Sequence, residues 1–467
     1  MADVVQAVRE ALPGATAWVV GGAVRDRLLG REVDDVDLVV EGDVRAAAKR
    51  LARATGGPMF NLSQEFGAWR VLAPDRSYRI DLNPLRGDDL QADLLLRDLT
   101  VNAIAEPLAG GEPVDPTGGQ ADLAAGRLRM TGPTAFTEDP LRVVRLARLA
   151  LALGFEVDPG TADAARAAAP GLADVPGERI FAELNLLLAH DSAPQGVRLL
   201  ADVGGLAAVL PEIAALEGVE QNRYHDRDVL GHTLEVLAET IAIERYPTVV
   251  FGPEHTEPLQ RVLAERLADG LTRAMGLRWG ALLHDAAKPA TRVMRDDGEV
   301  GGFPGHDVQG AELAREVMSR LRASERLRAH VAALTRHHLR LGFLVHSRPL
   351  DAHDLYGYLT ATEPVEVDVT LLSVADRLAT RGRKSEEAIE RHVALAREVL
   401  PAVLAWRAAG GRPAPLLRGD VLARRLGVDP GPELGRLLRA LSEAQYAGEV
   451  TTPDEAVELA RRLLSAS

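Results

Sequence analysis

Between Val19 and Val40 the chain reads VVGGAVRDRLLGREVDDVDLVV. Two valine-rich runs flank a glycine pair, a helical AVRDRLLG and three carboxylates, Asp34, Asp35 and Asp37. Few folds accommodate that order. The valine-rich runs predict strands, and the glycine pair predicts a tight turn into a helix N-terminus, where backbone N–H groups and the helix dipole favour an anion. On a strand, residues i and i+2 share a face. Asp35 and Asp37 therefore stand side by side and repel unless a cation lies between them. Oxygen donors of this kind select Mg²⁺, which is commonly held by one or two carboxylates plus substrate phosphates. Asp81, in YRIDLNPLR, falls on a later strand and is a candidate third carboxylate. Gly21, Gly22 and Arg25 place a phosphate grip close to this metal grip. The combination points to phosphoryl or nucleotidyl transfer.

The rest of the chain is built around that segment. At 467 residues it exceeds one ordinary domain. AWVVGG, VDLVVEG, AWRVLAP and YRIDLNPLR read as strands and GDVRAAAKRLARATGG as a helix, which predicts an α+β head over residues 1–130. From about residue 134 the pattern is helical almost throughout. We place a helical neck at 131–215, a further helical domain at 216–405 and a helical tail at 406–467, announced by the Gly/Pro-rich GGRPAPLLRGD.

There is no cysteine, which excludes disulfides, thiolate metal sites and a cysteine nucleophile. That absence fits a reducing cytoplasm. MADVVQAVREALPG lacks the basic start and apolar core of a signal peptide. No uncharged apolar run approaches the roughly 18 residues that span a membrane. A cytoplasmic protein without a membrane partner is expected. The net charge of −14 would ordinarily argue against nucleic acid. Yet only Lys49, Lys288 and Lys384 among the 54 basic residues are lysines. The rest are arginines, which grip phosphate bidentately, so a local groove can still hold RNA.

A second constellation lies in the later half. His232 sits in GHTLEVL, His284 and Asp285 in ALLHDAAKP, and His306 in FPGHDVQGA. His337 and His338 follow, and Asp376 lies in LLSVADRLA. All fall on helical segments. Imidazole with carboxylate suits a divalent transition metal or Mg²⁺. His190, His255, His330, His346, His353 and His392 read as surface or internally satisfied residues, and His225 as a supporting or substrate-contacting one.

The glycine pair and Asp-x-Asp resemble the nucleotidyltransferase superfamily typified by DNA polymerase beta. The full string from Val19 to Val40 resembles the class II tRNA nucleotidyltransferase and bacterial poly(A) polymerase family. EFGAWRV (65–71), LRDLTVNAIA (96–105), DPTGGQADLAAGRLR (115–129), TEDPLRVVRLARLALALGF (137–155) and GERIFAEL (177–184) are similar to its successive motifs, in order, over roughly the first 210 residues. The resemblance implies a polymerase-beta-like head, an all-α neck and body, and template-independent transfer of CMP and AMP from CTP and ATP to a tRNA 3′ end. It implies that Asp35 and Asp37 hold Mg²⁺ with Asp81 as the third carboxylate, and that Gly21, Gly22 and Arg25 meet the triphosphate. Arg97 and Asp98 are implied at triphosphate and ribose, and Asp139 and Arg142 at the base edge. Arg145 and Arg148 continue from Arg142 in three-residue steps, each turning about −60°, so Asp139 and the three arginines are expected as one drifting stripe on one helix.

Two departures keep the product open. The family usually shows Arg-Arg-Asp where this chain has Leu96, Arg97 and Asp98. Only ten residues separate Arg86 from Arg97, where family members often carry a longer loop tied to the switch from adding C to adding A. Full CCA addition and CC addition alone both stand, and poly(A) polymerases share the head motifs. The later histidines resemble the HD phosphohydrolase domain, with His306 and His337–His338 where binuclear members carry further ligands. That implies a site for Mg²⁺, Mn²⁺, Ni²⁺ or Fe²⁺ acting on phosphate or 2′,3′-cyclic phosphate ends. A metal-dependent phosphohydrolase with a nucleotide-sensing head is the reading from another class.

Overall fold

The computed structural model describes residues 4–63, 66–221, 227–382 and 385–465. They form two compact units, Met1–His190 with Gln195–Val209, and Asp191–Pro194 with Leu210–Ser467.

A six-stranded sheet organises the first unit. Its strands are β1 (Ala17–Val20), β2 (Asp35–Val40), β3 (Met59–Ser63), β4 (Ala68–Leu72), β5 (Arg79–Pro84) and β6 (Ala105–Pro107), in the order β3-β4-β5-β2-β1-β6. β2 and β5 pair parallel and the other neighbours antiparallel. Val36 and Leu38 of β2 and Ile80 and Leu82 of β5 are fully buried. Period-two alternation then places Asp35 and Asp37 on the opposite face. Register does the rest. Asp35 lies beside Arg79 and Asp37 beside Asp81, while Arg70 of β4 lies beside Asp81 and Leu72 beside Arg79. In-register residues share a face, so one patch of sheet holds three aspartates and two arginines. The edge strands β3 and β6 carry no clear alternation and were not expected from the sequence.

Helix α1 (Gly22–Leu28) leaves β1 through Gly21, and α2 (Val44–Thr55) starts where the Asp43 carboxylate accepts from Ala46 N–H at 2.9 Å. A short α3 (Leu90–Leu95) fills the segment between Arg86 and Arg97. The neck packs α4 (Arg142–Leu153) against α5 (Gly177–Leu188). One expectation changes here. Asp139 is not on the same helix as Arg142, Arg145 and Arg148. Its backbone is extended (φ −143°, ψ 94°), between a helical turn at Ala135–Glu138 and α4. Pro140 is the reason, because proline disfavours the helical region for the residue before it.

In the second unit α6 (Val229–Arg245), α7 (Arg273–Leu283), α8 (His306–Arg320), α9 (Glu325–His337) and α10 (Glu366–Ala379) pack around Leu237, Leu277, Leu334 and Leu372, all fully buried. Two crossings are unusually close. A Cβ on Gly280 of α7 would lie 2.5 Å from Leu334 Cδ1 of α9, and one on Gly310 of α8 would lie 2.9 Å from Thr335 Cγ2. These contacts draw the ends of α7, α8 and α9 together. The tail helices Gly419–Leu426, Pro432–Tyr446 and Pro453–Ser465 share a small core around Leu422, Leu437 and Val457. Among the described residues no helix is long and apolar enough to cross a membrane.

Because the α7–α9 crossing has no room for a methyl group, Gly280→Ala is expected to destabilise the protein by about 1–3 kcal/mol. Gly357→Ala, with open space at its Cβ, should leave stability equal or slightly higher. Thermal unfolding of both variants checks this.

Candidate functional site

In the first unit one cavity of about 610 Å³ gathers Gly21, Gly22, Arg25, Asp35, Asp37, Arg97, Asp98, Asp139, Arg142, Arg145 and Arg148, with Arg79, Arg86, Asn102 and Glu183 beside them. Asp81 is outside this lining. It is level with Asp37 on the next strand, but both its oxygens accept from Arg70 at 2.6 Å.

Gly21 is required twice over. Gly21 has φ +69°, and a Cβ there would come within 3.1 Å of Arg97 Nη1 and 3.8 Å of Asp37 Oδ2. The cationic side chains are held by fixed acceptors. Arg25 donates to Asn102 Oδ1 at 2.7 Å and to Asp26. Arg97 donates through Nε and Nη2 to the fully buried Asp93 at 3.2 and 3.0 Å. Arg148 donates to Glu183 at 2.7 Å, and Arg179 to Asp139 at 2.9 Å. Arg142 donates to three backbone carbonyls, those of Leu96 at 2.7 Å, Ala135 at 2.8 Å and Arg97 at 3.3 Å. Asp98 accepts from Leu99 N–H, the Asn102 amide and Arg145 Nε at 2.8–3.0 Å. Its burial alone would raise its pKa. The Arg145 charge and those hydrogen bonds outweigh burial and bring it down to about 2.

The acidic pair behaves in the opposite way. Burial, then the neighbouring Asp35, pushes Asp37 up to about 6. On the Asp37 side of the sheet face, Val20, Val39, Leu94 and Ala103 form an apolar cluster that limits its hydration. Asp35 Oδ2 accepts from Arg79, while its buried Oδ1 has no hydrogen-bond partner. An orphaned buried oxygen beside a second carboxylate whose charge burial disfavours fits a hard divalent cation such as Mg²⁺.

The second unit assembles the other constellation. His284, His306 and His338 each direct Nδ1 to a backbone carbonyl three residues back, Ala281, Phe303 and Thr335, at 2.7–2.8 Å. A carbonyl only accepts, so each Nδ1 carries a hydrogen, and each ring when neutral presents a lone pair at Nε2. Those lone pairs converge. His306 Nε2 and His338 Nε2 are 3.2 Å apart, which is repulsive unless a cation separates them. Two groups result, His232 with His284 and Asp376, and His306 with His338 and Asp285. Asp285 spans them, with Oδ2 3.1 Å from His284 Nε2 and Oδ1 3.4 Å from His306 Nε2. Burial would raise Asp285, but His284 and Lys288 hold it well below the usual carboxylate range. Burial and then the neighbouring His284 lower His338 to about 4, so it stays neutral. Imidazole nitrogens around a bridging carboxylate suit a pair of divalent transition metals, which would displace the proton that Asp285 favours on His284, activate water and neutralise phosphate.

His337 departs from the expected ligand set. One residue is 100° of helix, so with His338 turned inward His337 faces outward and accepts from Arg340 Nε at 3.1 Å. His330 is buried, with Nε2 3.6 Å from Asp368 Oδ1. His225 lies outside the described residues. Sequence reasoning passed over Arg79 and Arg70, although Arg79 is at i−2 from Asp81 on the same strand. It passed over Asp93, one helical turn before Arg97, and Glu183. It also passed over Lys288, which reaches Asp285 Oδ2 and Gln221 Oε1, both at 2.7 Å. The signal for Lys288 was its three-residue spacing from Asp285.

Residues 17–129 match the family described as Poly A polymerase head domain, 154–216 that of the probable RNA and SrmB-binding site of polymerase A, and 262–381 the HD domain. An A-adding tRNA nucleotidyltransferase from Deinococcus radiodurans is 36% identical, over 96% of this chain and 95% of that protein. The chain belongs to the class II bacterial tRNA nucleotidyltransferase family. A CC-adding tRNA nucleotidyltransferase from Thermus thermophilus is 35% identical over 94% of this chain and 92% of its own length. The fold is shared with the Thermotoga maritima CCA-adding enzyme complexed with tRNA, at 19% identity and a TM-score of 0.62 over 99% and 96% of the two chains. As a member of this family the chain is a nucleotidyltransferase with an HD domain.

Two outcomes are expected of these sites. Below its ordinary value of 3.8 Asp37 is protonated folded or unfolded. Between there and about 6 the unfolded chain ionises first, so the metal-free fold loses stability as pH rises. Asp37→Asn should therefore stabilise the protein in EDTA by about 3 kcal/mol at pH 7.5 and by almost nothing at pH 3.5, read from denaturant midpoints. In the second unit His338→Ala should lose bound transition metal, measured by elemental analysis, whereas His337→Ala should keep it.

Proposed function

We propose that this enzyme adds the CC of the 3′ CCA end to tRNA, taking CMP from CTP and releasing pyrophosphate, in the cytoplasm. The carrying observation is the single cavity in which Asp35 and Asp37 meet Asp139, Arg142 and the phosphate-gripping Gly21, Gly22, Arg25 and Arg97. In this reading Asp35 and Asp37 hold Mg²⁺, which supplies charge neutralisation at the phosphates. Asp81 acts from behind, by fixing Arg70. Arg25 and Arg97 bind the triphosphate, and Asp98 takes the ribose while orienting Arg145. Asp139 accepts from the cytosine amino group, and Arg142 donates to the acceptors beside it. The RNA 3′-hydroxyl attacks the α-phosphorus in line with the departing pyrophosphate.

Two observations support a partial product. Two relatives aligned over 96% and 94% of this chain carry the names A-adding and CC-adding. The segment between Arg86 and Arg97 is short and folded as α3, with Asp89 capping it through Ala92 N–H at 2.8 Å. Its end is tied to Arg142 through the Leu96 and Arg97 carbonyls. A base reader anchored in this way has one setting, and resemblance ties a short segment to CC addition. A-addition is the second reading, favoured by the Deinococcus relative. For the HD domain we propose hydrolysis of phosphate or 2′,3′-cyclic phosphate ends of RNA. His232, His284, Asp285, His306, His338 and Asp376 would hold the metals, with Lys288 orienting Asp285.

A tRNA transcript lacking CCA is expected to gain two C residues with CTP and to stop there when ATP is added. Extension of CC-ending tRNA by one A would establish the A-adding reading. A complete CCA end would show full addition, long A tails poly(A) polymerase, and no incorporation the phosphohydrolase alone. Asp35→Ala and Asp37→Ala should abolish incorporation by at least a thousandfold and spare hydrolysis of a 2′,3′-cyclic phosphate, and His284→Ala the reverse.

A further inference from the structure

Next to the cavity of the acidic pair lies another of about 490 Å³, and Asp35 and Arg79 line both. The second is completed by Arg70, Leu72, Arg76, Ser77, Tyr78 and Asp34, from β4, the β4–β5 hairpin and the start of β2. It contains three arginines but none of the residues read above as triphosphate, ribose or base contacts. Those lie across the Asp35–Asp37 border, on α1, on α4 and near Arg97.

In-line displacement fixes what must occupy this side. Attacking and leaving oxygens stand on opposite sides of the α-phosphorus. If the triphosphate fills the first cavity and the metal sits at the border, the incoming RNA terminus approaches from the second. An RNA end brings phosphodiester anions and an unstacked base. Guanidinium groups match the first, and an aromatic ring such as Tyr78 matches the second.

The arginines are differently committed. Arg70 is fixed by two 2.6 Å bonds to Asp81. Arg76 is exposed at the hairpin tip. Arg79 is half exposed and pairs with Asp35 Oδ2, an oxygen of the proposed metal-binding pair. A divalent cation taken up by Asp35 competes for that oxygen and repels the guanidinium. Arg79, released at the junction of the cavities, then has an RNA phosphate as its natural acceptor.

We infer that this second cavity seats the 3′ terminus of the RNA acceptor strand. Arg79 and Arg76 take its last phosphodiesters and Tyr78 stacks on its terminal base, with Arg79 moving from Asp35 to RNA as metal enters. The inference rests on the transferase reading of Asp35 and Asp37. Arg76 and Arg79 are positioning residues in this scheme.

The test uses the full chain, CTP and tRNA transcripts lacking CCA. Arg76→Ala and Arg79→Ala should each raise the KM for tRNA about tenfold and change the KM for CTP less than twofold. Each should flatten the salt dependence of tRNA binding by roughly 0.7 in log–log slope per lost phosphate contact. Tyr78→Ala should raise the tRNA KM, and Tyr78→Phe should not. Arg79→Ala should also lower the Mg²⁺ concentration for half-maximal rate, because a competitor for Asp35 is gone. Arg76 has φ +62°, so Arg76→Gly, which suits that backbone, is the companion variant that separates a folding defect from a lost phosphate contact. An unchanged tRNA KM in Arg76→Ala and Arg79→Ala overturns the inference, as does a rise confined to CTP, which would place Arg79 on the triphosphate. If Asp35→Ala keeps full incorporation, the transferase reading of the pair fails instead, and the arginine results stand apart from it.

Discussion

The parallel register of β2 against β5 is the constraint on which the first unit depends. Setting Asp37 beside Asp81 and Asp35 beside Arg79 fixes which charges meet. A slip of one residue would turn Asp35 and Asp37 into the space of Val36 and Leu38 and expose the valine and leucine. Hydrophobic burial on one face thus enforces electrostatic crowding on the other. The crowding is relieved unevenly. Asp81 and Asp35 find guanidinium partners, whereas Asp37, beside an apolar cluster, finds none strong enough to keep it ionised at ordinary carboxylate pH. The sheet is folded around an unsatisfied charge requirement, and such a requirement is what a metal–nucleotide complex can meet.

The second unit reaches a similar frustration by another route. There, backbone carbonyls fix three imidazole tautomers so that lone pairs, rather than N–H groups, face one another. Close helix crossings at Gly280 and Gly310 bring the donors into range. The two centres differ in chemistry as well as in place. Carboxylate oxygens dominate one and imidazole nitrogens the other, so they favour different cations from the same pool.

Much of this was legible in the sequence because it rests on short-range periodicity. Period-two placement of Asp35 and Asp37, the glycine turn and the helical histidines all follow from local pattern, and one cavity gathers with the two aspartates the residues that the family resemblance singled out. What escaped depends on pairing between distant segments. Arg70 and Arg79 became visible only once β4 and β5 were in register, and Glu183 only once α5 lay on α4. Edge strands β3 and β6 were missed because edge positions need no alternation. Asp139 was placed on a helix because helical periodicity ran through it, although Pro140 carried the opposing signal. His337 and His338 are adjacent in sequence, and only the helix phase separates them.

The anchoring of Arg142 has an evolutionary side. Two of its three acceptors are main-chain carbonyls of Leu96 and Arg97. A carbonyl is present whatever side chain occupies the position. The contact that orients this guanidinium is therefore insulated from mutation at residue 96, provided the backbone path is kept. That insulation gives a physical reason why a leucine can stand where relatives of this family usually carry an arginine. The selective burden passes from the identity of one residue to the shape of a short stretch of chain, where drift in side chains leaves no trace on the orientation of Arg142.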